Sequence, residues 1–289
     1  MKIRNYTCVP DDSLESRVEK AFNSLGLKGA MDNSPEDIIK FYSGISKDKK
    51  DNLILYPLNH TVEISAYGGT VKTEPKSLSK NGEVIFEDLD DLLTNMNFNW
   101  EDKVLNNYIE GAKGLIAMGL EPVYCISGPL TILNGLIDIS KVFKALRRDK
   151  EKVFEILELI SKDLLLYIDS LEKVGLKTIS FSDSIMSVDI IGPKYFCEIL
   201  VGITLPFLKK IWQNKNLQVI LCPKLSLGLM DCGLATLEEL PVDRGLSYLK
   251  ACKSISERAK IVGKICPKDE NYCTDNFHKL NSIVLGDEK

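Results

Sequence analysis

Residues 218–233 read "QVILCPKLSLGLMDCG" and contain the pattern that decides the fold of this chain. An apolar run over residues 217–221 stops abruptly at Cys222 and Pro223. A short apolar run that ends at proline is typical of a buried strand. Cys222 then has two interpretations: a core thiol that ends a strand, or a ligand placed at the mouth of a site.

The same order of elements repeats along the chain from residue 101 onwards. Amphipathic helical segments over residues 101–119 and 149–175 each end near a glycine, and short apolar strands separate them. Strands alternating with helices are typical of βα units around a parallel sheet. The sequence therefore predicts an α/β fold: a single (β/α)8 TIM barrel over residues 51–289, with an N-terminal helical extension, residues 1–50, packed on it.

Composition narrows the function classes. The 289 residues include 37 basic and 41 acidic side chains, so the net charge of −4 predicts no nucleic acid and no membrane surface as a partner. The chain has no window of about 18 apolar residues, so we expect no transmembrane helix. The first residues lack the apolar core of a signal peptide. We expect a cytoplasmic protein whose eight cysteines are free thiols or metal ligands rather than disulfides.

Polar and thiol side chains stand just after the predicted strands, where the loops of a parallel barrel build a site. Cys222 and Cys266 each end a strand and precede a proline. Either both are apolar core residues, as most free cysteines are, or they are thiolate ligands of an open zinc site. Asp183 follows the strand "KTISF"; it either caps a turn or points its carboxylate into the site as a catalytic group.

Four further residues are candidates for substrate binding: His60, Glu63, Tyr124 and Ser127. His60 is one of only two histidines, and it lies where a barrel loop is expected, although a lone histidine is more often structural. Glu63 can equally belong to a capping box that starts a helix, and Tyr124 can be a core residue behind the site. Because the chain has only two histidines and no nucleophile-elbow motif, we do not expect a Ser-His-Asp catalytic triad.

Three segments together resemble a known superfamily. They are "CISGPLTILNGLID", "ISFSDSIMSVDIIGPKYFCEILVGITLPFLKKI" and "VILCPKLSLGLMDCG". In order and spacing they resemble the uroporphyrinogen decarboxylase superfamily, and more closely its cobalamin-dependent methyltransferase branch, of the methylcobalamin:coenzyme M type. The segments "NHTVEISAYGGTVK" and "CPKDENYCTDN" are similar to two further segments of that branch.

The resemblance implies a (β/α)8 barrel and a choice between two chemistries. The decarboxylases carry an arginine-rich motif near the start, which grips substrate carboxylates, and a histidine in the last loop. This chain has no such motif, and Cys266 stands at that loop position. Both departures argue against porphyrinogen decarboxylation.

In the methyltransferase branch, zinc is held by a His-x-Cys pair and by a cysteine in the last loop. The resemblance places Cys222 and Cys266 at the two cysteine positions, but Ile220 stands where the histidine belongs. Either another residue completes the site, or the chain is a paralogue with weakened or lost zinc binding. The alternatives for the third ligand are His60, Cys232, Cys273 and a carboxylate such as Asp183.

The resemblance therefore implies a zinc- and corrinoid-dependent methyltransferase. It would move a methyl group between a corrinoid (cobalamin), carried by a partner corrinoid protein, and a small acceptor such as a thiol that zinc deprotonates. One alternative is a non-catalytic paralogue that binds a corrinoid or a corrinoid protein. A decarboxylase of the same superfamily is the third hypothesis.

Overall fold

The structure is a computed structural model that describes residues 3–4, 6, 12–26, 34–47, 51–73, 77–213, 216–268 and 278–286. Twelve α-helices lie within these residues: α1 Asp12–Leu25, α2 Pro35–Ser46, α3 Val62–Ala66, α4 Leu89–Asn95, α5 Lys103–Ala117, α6 Pro129–Leu136, α7 Ile139–Arg148, α8 Lys150–Lys173, α9 Val188–Ile199, α10 Leu205–Gln213, α11 Pro223–Asp231 and α12 Tyr248–Ser254. The strands are β1 Leu53–Tyr56, β2 Val71–Lys72, β3 Lys80–Asn81, β4 Glu121–Ser127, β5 Thr178–Ser182, β6 Gln218–Leu221, β7 Ala235–Pro241, β8 Ile261–Val262 and β9 Lys279–Leu285.

The main sheet has seven strands in the order β1-β4-β5-β6-β8-β9-β7. The first five are parallel neighbours, whereas β9 runs antiparallel to both β8 and β7. Helices α5, α8 and α10 lie in the chain between successive parallel strands, which is the βα arrangement that the sequence predicts. The α/β class with a mostly parallel sheet is therefore confirmed.

The prediction of eight parallel strands in a closed barrel needs correction. Within the described part of the chain, the sheet stays open, with β1 and β7 at its edges. The cause lies in β7, which pairs antiparallel with β9 over all seven of its residues. Most side chains of β7 are exposed or half-buried, and an antiparallel strand tolerates such exposure whereas a parallel barrel strand does not.

The parallel strands present their side chains alternately to the helices and to the opposite face of the sheet. The Tyr56 hydroxyl donates to the carbonyl of Tyr108 on α5 at 2.5 Å, so Tyr56 faces the helices. Tyr124 is its register partner on β4 and faces the same way. The next position along the register, where Cys125 and Ser180 are paired and Ser180 and Ile220 are paired, therefore faces the other side, which we call the inner face.

The helical region from Val188 to Gln213 is long and apolar enough, by length and composition alone, to cross a membrane. It contains a π-helical turn, Leu200–Thr204, and a break at Gly192, whose φ of +77° suits glycine. The π-helical turn and α10 both pack against α8, and 44% of the apolar window is buried inside the fold. The region thus supplies a packing face for the α/β core.

Helices α1 and α2 pack on each other, and α2 packs on α5 and β1. The hydroxyl of Tyr42 on α2 accepts the backbone N–H of Leu58 at 2.8 Å, just after β1. Ile38, Phe41, Tyr42 and Ile45 form the buried stripe of α2. These contacts tie α2 to the loop that leads into the candidate site, while the domain boundary at residue 50 stays a prediction.

Candidate functional site

The candidate residues lie at the carboxyl ends of the parallel strands. His60 follows β1, Ser127 ends β4, Asp183 follows β5 and Cys222 follows β6, while Cys266 comes four residues after β8. Because parallel strands share one carboxyl edge, their loops meet on one side of the sheet. The predicted strand ends before Ser127, Asp183 and Cys222 are close to those observed, but Cys266 does not end a strand as predicted, because β8 stops at Val262. The roles of these residues stay predictions.

Ser127 connects two of the other candidates. Its hydroxyl oxygen lies 3.2 Å from Nδ1 of His60, and its backbone N–H donates to Oε1 of Glu63 at 3.1 Å. Glu63 lies in α3, and the hydroxyl of Thr61 makes no capping bond at the start of that helix. The carboxyl of Glu63 therefore reaches across to β4 instead of closing a capping box at its own helix.

Burial sets the protonation of both groups. Glu63 is only 1% exposed, and burial raises its pKa from 4.5 to about 7, against the opposing effect of hydrogen bonds from its own backbone and from Ser127. Burial, together with the positive charge of Lys268, lowers the pKa of His60 to about 4. At neutral pH the imidazole is thus uncharged, and the carboxyl of Glu63 is close to half ionised.

This shift makes the stability of the protein depend on pH. The folded-state pKa of Glu63 lies above its unfolded value, so its contribution to stability falls as pH rises from about 4.5 to about 7. We expect Glu63→Gln to stabilise the fold by about 1–3 kcal/mol at pH 8, because glutamine keeps an acceptor for the Ser127 N–H without the charge. Urea unfolding at pH 8 and pH 4 checks this, and the gain should disappear at pH 4. A variant less stable than the parent at pH 8 would contradict it.

Asp183 holds the start of a helix. Its Oδ2 accepts the N–H of Leu130 at 3.0 Å, and its Oδ1 accepts the hydroxyl of Thr131 at 2.7 Å. Both bonds lie in the first turn of α6, whose N-cap is Gly128 and has no side chain to offer. The carboxylate is 4% exposed, and burial raises its pKa. Asp183 thus ties the carboxyl end of β5 to the segment after Ser127, and its catalytic role stays a prediction.

Within the described residues, Tyr124 makes no hydrogen bond with the other candidates, although the charge of Glu63 contributes to raising its pKa. It is fully buried on the helix-facing side of β4, where its hydroxyl forms a hydrogen bond with that of Tyr167 on α8. The alternation along β4 turns Tyr124 away from the inner face on which Cys125 and Ser127 lie. The structure therefore brings His60, Glu63 and Ser127 together but leaves Tyr124 in the layer behind the strand.

Two half-buried thiols follow neighbouring strands, β6 and β8. The backbone N–H of Cys222 donates to the carbonyl of Phe181 at 3.0 Å, which fixes the residue between β6 and α11. Cys266 lies in the loop after β8, the strand that pairs with β6. Cys125 and Cys252 are buried, and burial raises the pKa of their thiols to about 11 and about 12.

Cys197 and Cys232 form a disulfide, so the prediction that all cysteines are free thiols or metal ligands is wrong for this pair. Cys197 lies on α9 and Cys232 ends α11, with their Cα atoms 6.2 Å apart. The two helices approach closely because Gly228 on α11 leaves room for the ring of Phe196. Packing of helices distant in sequence brings the two sulfur atoms together, and Cys232 is not available as a metal ligand.

The described residues do not complete a zinc site. Among them, no group of three or more histidine, cysteine, aspartate and glutamate side chains is placed to hold a metal. Nδ1 of His60 is engaged with Ser127, both oxygens of Asp183 serve α6, and Ile220 is fully buried. Cys273 lies outside the described residues. The residues present therefore do not fit the three-ligand set that the resemblance implies.

The sequence interpretation missed two participants. The hydroxyl of Thr131 donates to the carboxylate of Asp183. The only sequence signal for Thr131 was its position three residues after a glycine that has no capping side chain. Lys268 places its charge near His60 and Cys125 from the loop after β8. A lysine two residues after Cys266 was visible in the sequence, but nothing local shows which strand end it approaches.

Comparisons with known proteins agree with the fold. The family model described as "Uroporphyrinogen decarboxylase (URO-D)" matches residues 43–269. Among solved structures, a methyltransferase from Methanosarcina mazei superposes with a TM-score of 0.60 at 17% identity, over 74% of this chain and 66% of that one. A search of curated protein sequences found no match. At that identity the solved structure supports the fold, whereas the family match spans most of the chain: the protein belongs to the uroporphyrinogen decarboxylase family.

Proposed function

We propose that this protein transfers a methyl group between a corrinoid and a thiol or a similar small acceptor. The proposal rests on membership of the family and on the likeness to a methyltransferase of known structure. The chain spans about two thirds of that methyltransferase. A corrinoid protein as the methyl carrier and a cytoplasmic location belong to the same proposal.

One observation carries the choice of chemistry. The candidate residues at the carboxyl edge carry thiol, imidazole, hydroxyl and carboxyl groups, and within the part of the chain that the structure describes Lys268 is the one cation shown to act on them. In the described residues no arginine directly follows any of the five parallel strands. A substrate rich in carboxylates needs such cations, since guanidinium groups bind carboxylates in a bidentate manner. A neutral acceptor that must lose a proton is better suited to this edge than a porphyrinogen.

The transfer divides into two parts. When bound, a methylated corrinoid supplies a methyl group on cobalt, and the cobalt departs with the electron pair of the broken bond. The acceptor must bring an electron pair of its own, and a thiol does so only after losing its proton, because the thiolate is the nucleophile. The protein's part is to hold the acceptor at the carboxyl edge and to accept that proton.

Zinc held by Cys222 and Cys266 is the finer form of this proposal, and no step here depends on it. Two thiolates without a third donor make an incomplete zinc site. The pairing of β6 with β5 and β8 places Ile220 on the inner face, two residues before Cys222. A histidine at that position would stand on the same side of the strand as Cys222.

Ile220→His is therefore expected to tighten zinc binding by at least about tenfold, because imidazole is a good neutral ligand for zinc. Competition with a chromogenic zinc chelator measures the affinity of parent and variant. The matched control is Val219→His, one residue earlier on the same strand, where alternation turns the side chain towards the helices. Equal affinities in Ile220→His and the parent would show that position 220 does not face the two thiols.

Methyl transfer is tested with free methylcobalamin and a panel of thiols together with tetrahydrofolate. Conversion of methylcobalamin to cob(I)alamin changes its visible absorbance, and we expect turnover with at least one acceptor. The second candidate function, a paralogue that binds a corrinoid without turnover, is favoured by Ile220 at the histidine position. If the protein binds methylcobalamin tightly but no acceptor produces the absorbance change of cob(I)alamin formation, the protein binds a corrinoid without turnover.

A further inference from the structure

Glu63, Ser127 and His60 form a connected row of polar groups at the carboxyl edge of β1 and β4. Ser127 stands in the middle, 3.1 Å from the carboxyl of Glu63 through its backbone N–H and 3.2 Å from Nδ1 of His60 through its hydroxyl. The side chain of Ser127 also acts on the carboxyl of Glu63 and lowers its pKa. We call these three residues the carboxyl relay.

No cation neutralises the carboxyl at one end of the carboxyl relay. Within the part of the chain that the structure describes, Glu63 makes no ion pair. The ionisable groups on which its charge acts are three tyrosines and a cysteine, all with raised pKa values and therefore uncharged at neutral pH: Tyr67, Tyr124, Tyr167 and Cys125. Lys268 acts instead on His60 and Cys125. In these surroundings the protonated, neutral form of a buried carboxyl group is favoured over the charged form.

The other end of the carboxyl relay is open for a ligand. His60 is half-buried, and its second ring nitrogen, Nε2, has no hydrogen-bond partner among the described residues. Thr61, the next residue in the chain, is 1% exposed, and its hydroxyl has no partner within the same residues. Buried hydroxyl groups are nearly always satisfied, so this group and the available imidazole nitrogen together point to a polar ligand at this end of the carboxyl relay.

We propose that the carboxyl relay accepts the proton of the methyl acceptor, a thiol, and delivers it to Glu63. This inference rests on the proposed function and assigns catalytic roles to residues of the same site. A thiol at Nε2 gives its proton to His60, Nδ1–H passes a proton to the oxygen of Ser127, and the Ser127 hydroxyl passes its own to the carboxylate of Glu63. The imidazole ends as its other neutral tautomer, Ser127 is unchanged, and Glu63 is protonated.

The thiolate then attacks the methyl group on cobalt. A sulfur–carbon bond forms as the cobalt–carbon bond breaks, and the cobalt keeps both electrons of that bond and passes from Co(III) to Co(I). The products are a thioether, Co(I) and protonated Glu63. Before the next turnover the proton of Glu63 returns through Ser127 to Nδ1 of His60, and Nε2 gives its proton to water, which restores the starting tautomer and the carboxylate. Every atom and electron of the step comes from the thiol, the methyl donor and the carboxyl relay.

The missing metal ligand at position 220 makes a protein base necessary. An alkyl thiol has a pKa of about 8.5, so at neutral pH most of it still carries its proton. Asp183 is unsuitable as the base, since both of its oxygens bind α6. The thiol of Cys125, with its pKa of about 11, is protonated as well. Glu63, with a pKa of about 7, is the buried carboxyl that is ionised often enough to receive the proton.

The test is the rate of methyl transfer from methylcobalamin to 2-mercaptoethanol as a function of pH. In the parent we expect the rate to rise as pH passes through about 7, because Glu63 must be ionised to accept. Glu63→Gln should be slower by about 100-fold or more at pH 7.5, and Ser127→Ala should show a loss of the same order. The deficit of Glu63→Gln should narrow above about pH 9, where the thiol ionises without help.

The matched control is Glu158→Gln, which removes an exposed carboxylate from α8 and should keep the parent rate at every pH. Circular dichroism and thermal unfolding confirm that each variant is folded. A parent-like rate in Glu63→Gln, or a deficit that stays constant up to pH 9, would overturn the carboxyl relay while leaving methyl transfer in place. Absence of transfer in parent and control alike, with every acceptor, would overturn the proposed function and the relay with it.

Discussion

Asp183→Ala destabilises the protein by about 2–3 kcal/mol, the expected cost of leaving buried hydrogen-bonding groups without their charged partner. The N–H of Leu130 loses its acceptor, and because Gly128 provides no capping side chain, nothing local replaces it. The hydroxyl of Thr131 also loses its bond to Asp183 but keeps a contact with the hydroxyl of Ser184 at 3.0 Å, so it contributes less to the loss of stability. Relief from burying the charge of Asp183 offsets part of the cost.

Urea unfolding at pH 7 measures this change. The conservative variant Asp183→Asn keeps an acceptor for one of the two bonds, and we expect it to lose less than the alanine variant. Glu158→Ala on the exposed side of α8 serves as the surface control and should stay within about 0.5 kcal/mol of the parent. An alanine variant at position 183 as stable as the parent would show that the start of α6 does not depend on this carboxylate.

Gly128→Ala tests the same junction from the opposite side. A Cβ at position 128 would lie 2.4 Å from Cβ of Asp183 and 2.5 Å from its Oδ2, which is closer than a side-chain carbon approaches unbonded atoms. Because Cβ of Asp183 is fixed to the backbone after β5, either that backbone or the start of α6 must move. We expect a loss of about 1–3 kcal/mol and a displaced Ser127, with slower methyl transfer as a consequence.

Gly44→Ala on α2 is the matched control. A Cβ at that position meets only the flexible end of the Leu25 side chain, at 2.8 Å, and alanine favours the helix more than glycine does. Its thermal unfolding and its rate should resemble those of the parent. Parent-like stability of Gly128→Ala would show that the approach of Asp183 to α6 is looser than the structure indicates.

Local patterns in the sequence located the parallel strands and most of their carboxyl ends, except that the last one, β8, ends at Val262 and not at Cys266. The run that ends at Cys222 forms β6, and "KTISF" forms most of β5, because short apolar runs between amphipathic helices must be buried on both faces. The carboxyl edge then follows from topology, since parallel neighbours end on the same side. His60 and Ser127 meet there although 67 positions separate them in the chain.

Features that depend on distant pairing were beyond the sequence. The antiparallel pairing of β7 with β9 joins two segments that are distant in the chain. In the sequence, only the polar side chains that β7 exposes distinguish it from a strand of a parallel barrel. The disulfide of Cys197 depends on how α9 packs against α11. Tyr124 was placed in the site by its position near a strand end, but one residue of alternation along β4 turns it towards Tyr167.

Ile220 shows why family membership and chemistry are separate conclusions. A buried isoleucine preserves the packing of β6 with its neighbours, and packing is what a shared fold requires. The chemistry depends instead on the few side chains at the strand ends, where this chain departs from the pattern that the resemblance implies. The carboxyl relay accounts for how an acceptor could still lose its proton at such an edge.

The most direct measurement follows the methyl group itself. The protein is incubated with methylcobalamin that carries a deuterated methyl group and with 2-mercaptoethanol, and the acceptor is analysed by mass spectrometry. We expect a deuterated methyl thioether that accumulates in proportion to the cob(I)alamin formed, with far less product in Glu63→Gln. No labelled product from any acceptor, with free methylcobalamin or with a methylated corrinoid protein as the donor, would contradict it.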